Sequence, residues 1–218
     1  MSKTVFKAAL FDLDGVVFDT EPQYTVFWGG QCRLYFPDDE GLEHRIKGQT
    51  LTQIYGILLP NRPEEQAKVT ERLNAFERGM RYDYVPGFVD FVSELRSLGV
   101  KTAIVTSSND AKMENVYRAH PEVRGLFDAV LTSDDFELSK PDPDCYLKAA
   151  ARLGVKPSEC VGFEDSFNGL RSVRSAGMFV VGLATTNSRE AVAPFADVVI
   201  DNYVGFDVQT MNRQMESE

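Results

Sequence analysis

The chain has 218 residues, 43% apolar and 26% charged, the composition of a globular fold and not of a disordered, collagenous or membrane chain. Acidic residues outnumber basic ones, 33 to 23, and the net charge of −10 gives no overall electrostatic footprint for nucleic acid or an anionic membrane. Three widely spaced cysteines, Cys32, Cys145 and Cys160, form neither a CxxC pair nor a disulfide framework; with no apolar run near the length of a membrane span, they point to a soluble cytoplasmic protein, expected to be a monomer.

The first apolar run, residues 5–11, stops at Asp12 and is too short for a secretory signal; it reads as a strand buried on both faces. From 22 to 84 helical patterns follow one another without a convincing strand, at 24–34, 41–46, 51–58 and 64–81, so this stretch is predicted to be an all-helical insert. Its flanks, 19–22 and 84–87, carry the proline and glycine of linkers and are expected to hinge. Thereafter strands at 100–105, 129–131, 159–163, 178–183 and 197–200 alternate with helices at 88–98, 111–119, 144–153 and 168–176. Gly99, Gly154 and Gly177 stand where helix C-caps are wanted. The alternation predicts an α/β fold, a doubly wound parallel sheet, with residues 1–19 and 85–218 as the core and 20–84 as a helical cap. The last residues, 211–218, are polar and read as a frayed end.

In such sheets ligands bind beyond the carboxyl ends of the strands, so the polar residues that close each apolar run are the candidates. Asp12 and Asp14 lie on one face of extended backbone, about 7 Å apart by strand rise, and repel. A hard, oxygen-loving cation would relieve them, with Glu164 and Asp165 as further ligands, and magnesium suits a site that also holds phosphate. Solvated turn aspartates before Gly15 are the plainer reading of the DLDG segment alone; an EF-hand fits poorly, because its glycine belongs two positions later. Thr106, Ser107, Ser108 and Asn109 join a strand to a helix and present an anion site at its N-terminus, although simple capping accounts for Ser108 and Asn109. Lys140 is weak evidence by itself and gains weight beside four carboxylates: with it and one divalent cation the site could accept a phosphate dianion, Asp14 carrying a proton if Asp12 attacks.

FDLDGVVFDTEP, VTSSN, SKPDP and GFEDSFNG, in that order and with cap-sized spacing after the first, resemble the phosphatases and phosphomutases of the haloacid dehalogenase superfamily, in the β-phosphoglucomutase-like branch with a helical cap. The resemblance implies a Rossmann-like core and a magnesium-dependent phosphatase for a small phosphorylated metabolite such as a sugar phosphate. It implies Asp12 as the nucleophile that forms an aspartyl-phosphate, Asp14 as general acid and base with its carbonyl on the metal, Thr106 and Lys140 on the phosphoryl group, Asp165 on magnesium and Glu164 in or behind the metal's ligand set. Thr20 and the cap pair Lys47–Gly48 match the mutase pattern, but Tyr24 replaces a histidine and Leu51 an arginine that grips a second phosphate, with Arg45 and Arg78 as candidate substitutes. Hydrolysis is therefore expected ahead of the alternative, a β-phosphoglucomutase-type phosphohexomutase. Asp14 argues against a metal-free dehalogenase, and the insert against a receiver-like binding module, which has no use for a lid. His44 and His120 are read as surface residues, Arg171 and Arg174 as a solvated face and Trp28 as core.

Overall fold

A computed structural model describes residues 4–47 and 49–216, so Gly48, half of the expected cap pair, and the final two residues of the chain lie outside the described residues. Strands β1 (Ala8–Phe11), β2 (Lys101–Val105), β3 (Ala129–Leu131), β4 (Cys160–Glu164), β5 (Phe179–Leu183) and β6 (Val198–Ile200) form one sheet in the order β3-β2-β1-β4-β5-β6, every pair parallel. The near-continuous apolar strands have the reason expected: each face is covered. Along β1, Ala9 and Phe11 enter one core while Ala8 and Leu10 enter the other, and β4 and β5 divide their side chains in the same alternation.

The first core is closed by α5 (Phe88–Ser97), α6 (Asp110–Ala119) and α11 (Val208–Glu216), the second by α8 (Asp144–Leu153) and α9 (Phe167–Ser175). Helix α11 corrects the reading of the C-terminal stretch as frayed. Val208 and Met211 are 1% exposed and pack into the first core, and one turn of apolar spacing among polar residues was too little to show this. Two one-turn helices, α7 (Val123–Leu126) and α10 (Arg189–Val192), also went unread, being shorter than one helical period of pattern. Gly99, Gly154 and Gly177 all have positive φ after their helices, as their positions suggested.

Helices α1 (Glu21–Tyr35), α2 (Leu42–Arg45), α3 (Leu51–Leu58) and α4 (Pro63–Arg78) lie between β1 and α5 and bury an apolar cluster of their own around Trp28, Cys32, Ile54, Leu58, Val69 and Leu73. Part of the expected N-terminal linker is helical: Pro22 sits in the first turn of α1, where its missing N–H costs nothing. Thr50 opens α3 with a capping box to Gln53. The two connections meet: Asp19 N–H donates to Asp83 O at 2.8 Å and Val85 N–H to Val17 O at 3.0 Å, and Phe18 stacks on Tyr84 with ring centroids 4.7 Å apart. His120 joins that stack, tilted 5.3 Å from Phe18, so it is a packing residue and not the surface residue expected; His44 is exposed. Arg171 and Arg174 are both exposed, as expected of a solvated face, Arg174 pairing with Asp197 at 2.5 Å and Arg171 lying over Phe195.

Candidate active site

Strand order reverses at β1, so a crevice opens at the carboxyl ends of β1 and β4, the switch point where α/β sheets bind ligands. Asp12 follows β1, Glu164 ends β4, and Asp165 follows it. Two glycines let the chain pass this closely. Gly15 has φ 74°, and a Cβ there would strike the Asp165 carboxylate; a Cβ on Gly169 would occupy the Glu164 carboxylate. These glycines, in DLDG and DSFNG, make room for the acids beside them.

Lys140 is 2% exposed and ties the crevice together, donating to Asp12 Oδ1 at 2.6 Å, Glu164 Oε1 at 2.5 Å and Val105 O at 3.0 Å. Burial alone would lower its pKa, but the two carboxylates hold the ammonium above its ordinary value. Glu164 is fully enclosed and saturated: Oε1 also accepts from Tyr146 Oη at 2.9 Å, and Oε2 from Ser166 Oγ and Asp165 N–H, each at 3.2 Å.

Asp12, Glu164 and Asp165 each offer an oxygen within 4.8 Å of the others. The chain supplies too little positive charge for them. Burial, opposed by Lys140 and reinforced by Glu164 and Asp14, pushes Asp12 up to about 7; burial with Glu21, Glu164 and Asp12 raises Asp165 well above the usual carboxylate range. A buried, all-oxygen, under-compensated set of this kind fits a hard divalent cation. Asp12 and Asp165 have oxygens to give it, whereas those of Glu164 are already engaged.

The Asp14 carboxylate turns away from that trio. Oδ1 accepts from Thr20 Oγ1 at 2.5 Å, and Oδ2 from Ser108 Oγ at 3.2 Å and from Lys112 Nζ. Lys112 was missed by sequence reasoning. It is 2% exposed on α6, its ammonium 4.5 Å from the centre of the Tyr24 ring, and only its position one turn after the VTSSN motif could have flagged it. Thr106, buried at the end of β2, accepts from Ser108 N–H at 3.0 Å, and Asn109 caps α6 through Lys112 N–H, so capping holds for Asn109 while Ser108 faces Asp14. Ser107 lines the same cavity. Thr186, also unforeseen, donates to Asp165, and Asn187 Nδ2 donates to Asp165 O at 3.0 Å.

Over the crevice lies a cavity of about 320 Å³, closed from above by the helices of the insert. Lys47 enters it beside Glu21, 3.5 Å away, and Trp28 is both core and wall. Tyr24 donates to Glu77 Oε1 at 2.8 Å; burial, Asp14 and Glu77 keep its phenol protonated. Leu51 lines the cavity, while Arg45 and Arg78 do not: Arg45 is spent on Asp39 at 2.6 Å, and Arg78 is exposed.

A doubly wound sheet with buried carboxylates gathered at its switch point, beneath a helical cover, is the frame of a capped α/β enzyme. Residues 6–177 match the family model of haloacid dehalogenase-like hydrolases, and the chain belongs to that family, as an enzyme of phosphohydrolase type. It is similar to the β-phosphoglucomutase of Bacillus subtilis (strain 168), 30% identical over 190 residues that cover 81% of this chain and 83% of the relative. It is also similar to the fructose-1-phosphate phosphatase YqaB of Escherichia coli (strain K12), 30% identical over 187 residues, 81% of this chain and 95% of that one. Among solved structures, CbbY from Rhodobacter sphaeroides in complex with phosphate superposes with a TM-score of 0.75 at 27% identity, over 91% of this chain and 95% of that one.

Proposed function

We propose that the protein is a magnesium-dependent cytoplasmic phosphatase that hydrolyses a small phosphorylated metabolite, a sugar phosphate, through an aspartyl-phosphate on Asp12. The observation that carries this reading is the pairing of Asp12, one oxygen held by Lys140 and the other without a hydrogen-bond donor among the described residues, with Asp14 across the cavity floor. Asp12 attacks phosphorus, the P–O bond to the sugar breaks, and Asp14 gives its proton to the departing oxygen. Asp14 then takes a proton from water as that water attacks the same phosphorus, freeing Asp12 and inorganic phosphate. Thr106, Ser107, Ser108 and Asn109 would receive phosphoryl oxygens from the end of β2, with Lys140 opposite. Asp12 and Asp165, with the Asp14 carbonyl, would hold magnesium, which supplies charge neutralisation for the transferring group. Glu164 keeps Lys140 in place. Residues 20–84 serve as the cap, which excludes bulk water.

Hydrolysis is favoured over mutase chemistry because, among the described residues, the cavity lining offers no unpaired cation to grip a second phosphate. Leu51 carries no donor, the Tyr24 hydroxyl is committed to Glu77, and neither candidate arginine reaches the cavity. The test is release of inorganic phosphate from p-nitrophenyl phosphate and a panel of sugar phosphates with magnesium. Asp12→Asn should lower the rate by about 10⁴-fold or more with the fold intact. Near-normal turnover by a folded Asp12→Asn protein overturns the covalent route. Conversion of β-glucose 1-phosphate to glucose 6-phosphate without free phosphate, primed by glucose 1,6-bisphosphate, restores the mutase reading.

A further inference from the structure

The leaving group must occupy the part of the cavity bounded by the insert. Glu21, Glu43 and Glu77 face it from three different helices, and Asp134 flanks it from the core. Three lysines share the cavity, and each is already matched: Lys140 by Asp12 and Glu164, Lys112 by Asp14, Lys47 by Glu21. Glu77 is not. It is 7% exposed, accepts one hydrogen bond, from the neutral Tyr24 hydroxyl, and its second oxygen has no donor and no ion pair among the described residues. Burial raises its pKa, with Lys112 opposing from beyond ion-pair distance, which is the condition of a carboxylate that gains from a cation brought beside it. A second anion on the substrate would instead enter a low-dielectric space against the unpaired Glu77 carboxylate, with no unmatched lysine among the described lining residues.

We propose that Glu77 makes this cavity select phosphate monoesters whose alcohol portion carries a protonated amine or only hydroxyls, and reject those with a second anionic group. The inference rests on the phosphatase reading and adds to it the charge of the leaving group. Trp28, Ile54 and Leu73 contribute apolar walls for the carbon skeleton, and Glu77, held by the Tyr24 hydroxyl, is the carboxylate at that end without a cation of its own.

The experiment compares esters that differ in one group: ethanolamine phosphate, ethylene glycol monophosphate and phosphoglycolate as one set, and glucosamine 6-phosphate, glucose 6-phosphate and glucose 1,6-bisphosphate as another. For the unaltered enzyme with magnesium, kcat/KM should fall by about tenfold or more from hydroxyl to second anion in each set, and the amine should equal or exceed the hydroxyl. Esters turned over too slowly are read as competitive inhibitors of p-nitrophenyl phosphate hydrolysis, with the same order expected. Glu77→Gln, which keeps the hydrogen bond from Tyr24, should compress the amine-to-anion ratio by about fivefold or more. Tyr24→Phe, which leaves the charge, should preserve the order. Equal use of the second-anion esters, or an unchanged ratio in a folded Glu77→Gln protein, overturns the proposal while leaving the phosphatase reading intact. Absence of phosphate release from every ester, p-nitrophenyl phosphate included, overturns both. The order among substrates is read on the natural chain, so it stands whether or not a variant folds.

Discussion

The floor and the roof of one cavity are built on different principles. The floor takes its groups from strand ends that the sheet holds in register: Asp12, Thr106 and Asp165 each sit one residue beyond a strand, and Lys140 is fixed by three acceptors. The roof takes its side chains from α1, α2, α3 and α4, whose positions depend on how four helices pack around Trp28 and its neighbours. Chemistry that needs sub-ångström placement belongs on the rigid sheet edge, and selection among substrates belongs on the part that can be repacked without disturbing it.

The sharpest way to break this division is to withhold the divalent cation that Asp12 and Asp165 are proposed to hold. Exhaustive chelation should reduce phosphate release by about 10³-fold or more, and magnesium alone should restore it. An unchanged rate would leave Asp12 and Asp165 without the partner their burial calls for. Next in size is Lys140→Ala, which leaves Asp12 and Glu164 as buried charges without a cation. A loss of about 3–5 kcal/mol in denaturant-derived stability is expected, and a change below about 1 kcal/mol, the size of an exposed pair, would mean that the network does not hold the floor. Lys112→Met keeps the stem over Tyr24 and removes the ammonium from Asp14. A fall of about 10- to 100-fold in kcat, measured where the variant is fully folded and so over and above the stability lost with the pair, is expected if Lys112 positions Asp14, whereas a purely structural role would lower the melting temperature and spare kcat. Smallest is Trp28→Leu in the roof: kcat for p-nitrophenyl phosphate should change less than about threefold while preferences among sugar phosphates shift. A large loss on the aryl ester would show that roof and floor are not separable.

The same contrast explains what could be read without coordinates. Groups on the floor are close in sequence to the turns that place them, so DLDG, VTSSN and GFED each disclosed a strand end and SKP the loop that follows β3, and the buried strands announced themselves by continuous apolar runs. Lys112 could not be read this way. On a helix, a buried lysine turned toward an aspartate looks like any solvated lysine until the helix's facing is known. Glu77 was hidden for the same reason, among the charged residues of α4, and Thr186 lies in a loop with no pattern at all. Helix α11 carries its apolar residues at helical spacing, but too few of them stand among the polar ones to mark a helix in the sequence.

The paired connections at Phe18 and Tyr84 have a mechanical meaning. Two independent tethers would let the helical part twist, slide and tilt, and each freedom would have to be given up whenever the cavity shut around a substrate. Here the tethers are stitched to one another by Asp19 to Asp83 and Val85 to Val17, and weighted at their base by stacked rings. Such a ribbon flexes across its flat face far more easily than in its own plane. Were the helical part to swing over Asp12, tethers joined in this way would leave it few other relative freedoms, and little orientational entropy would be lost on shutting.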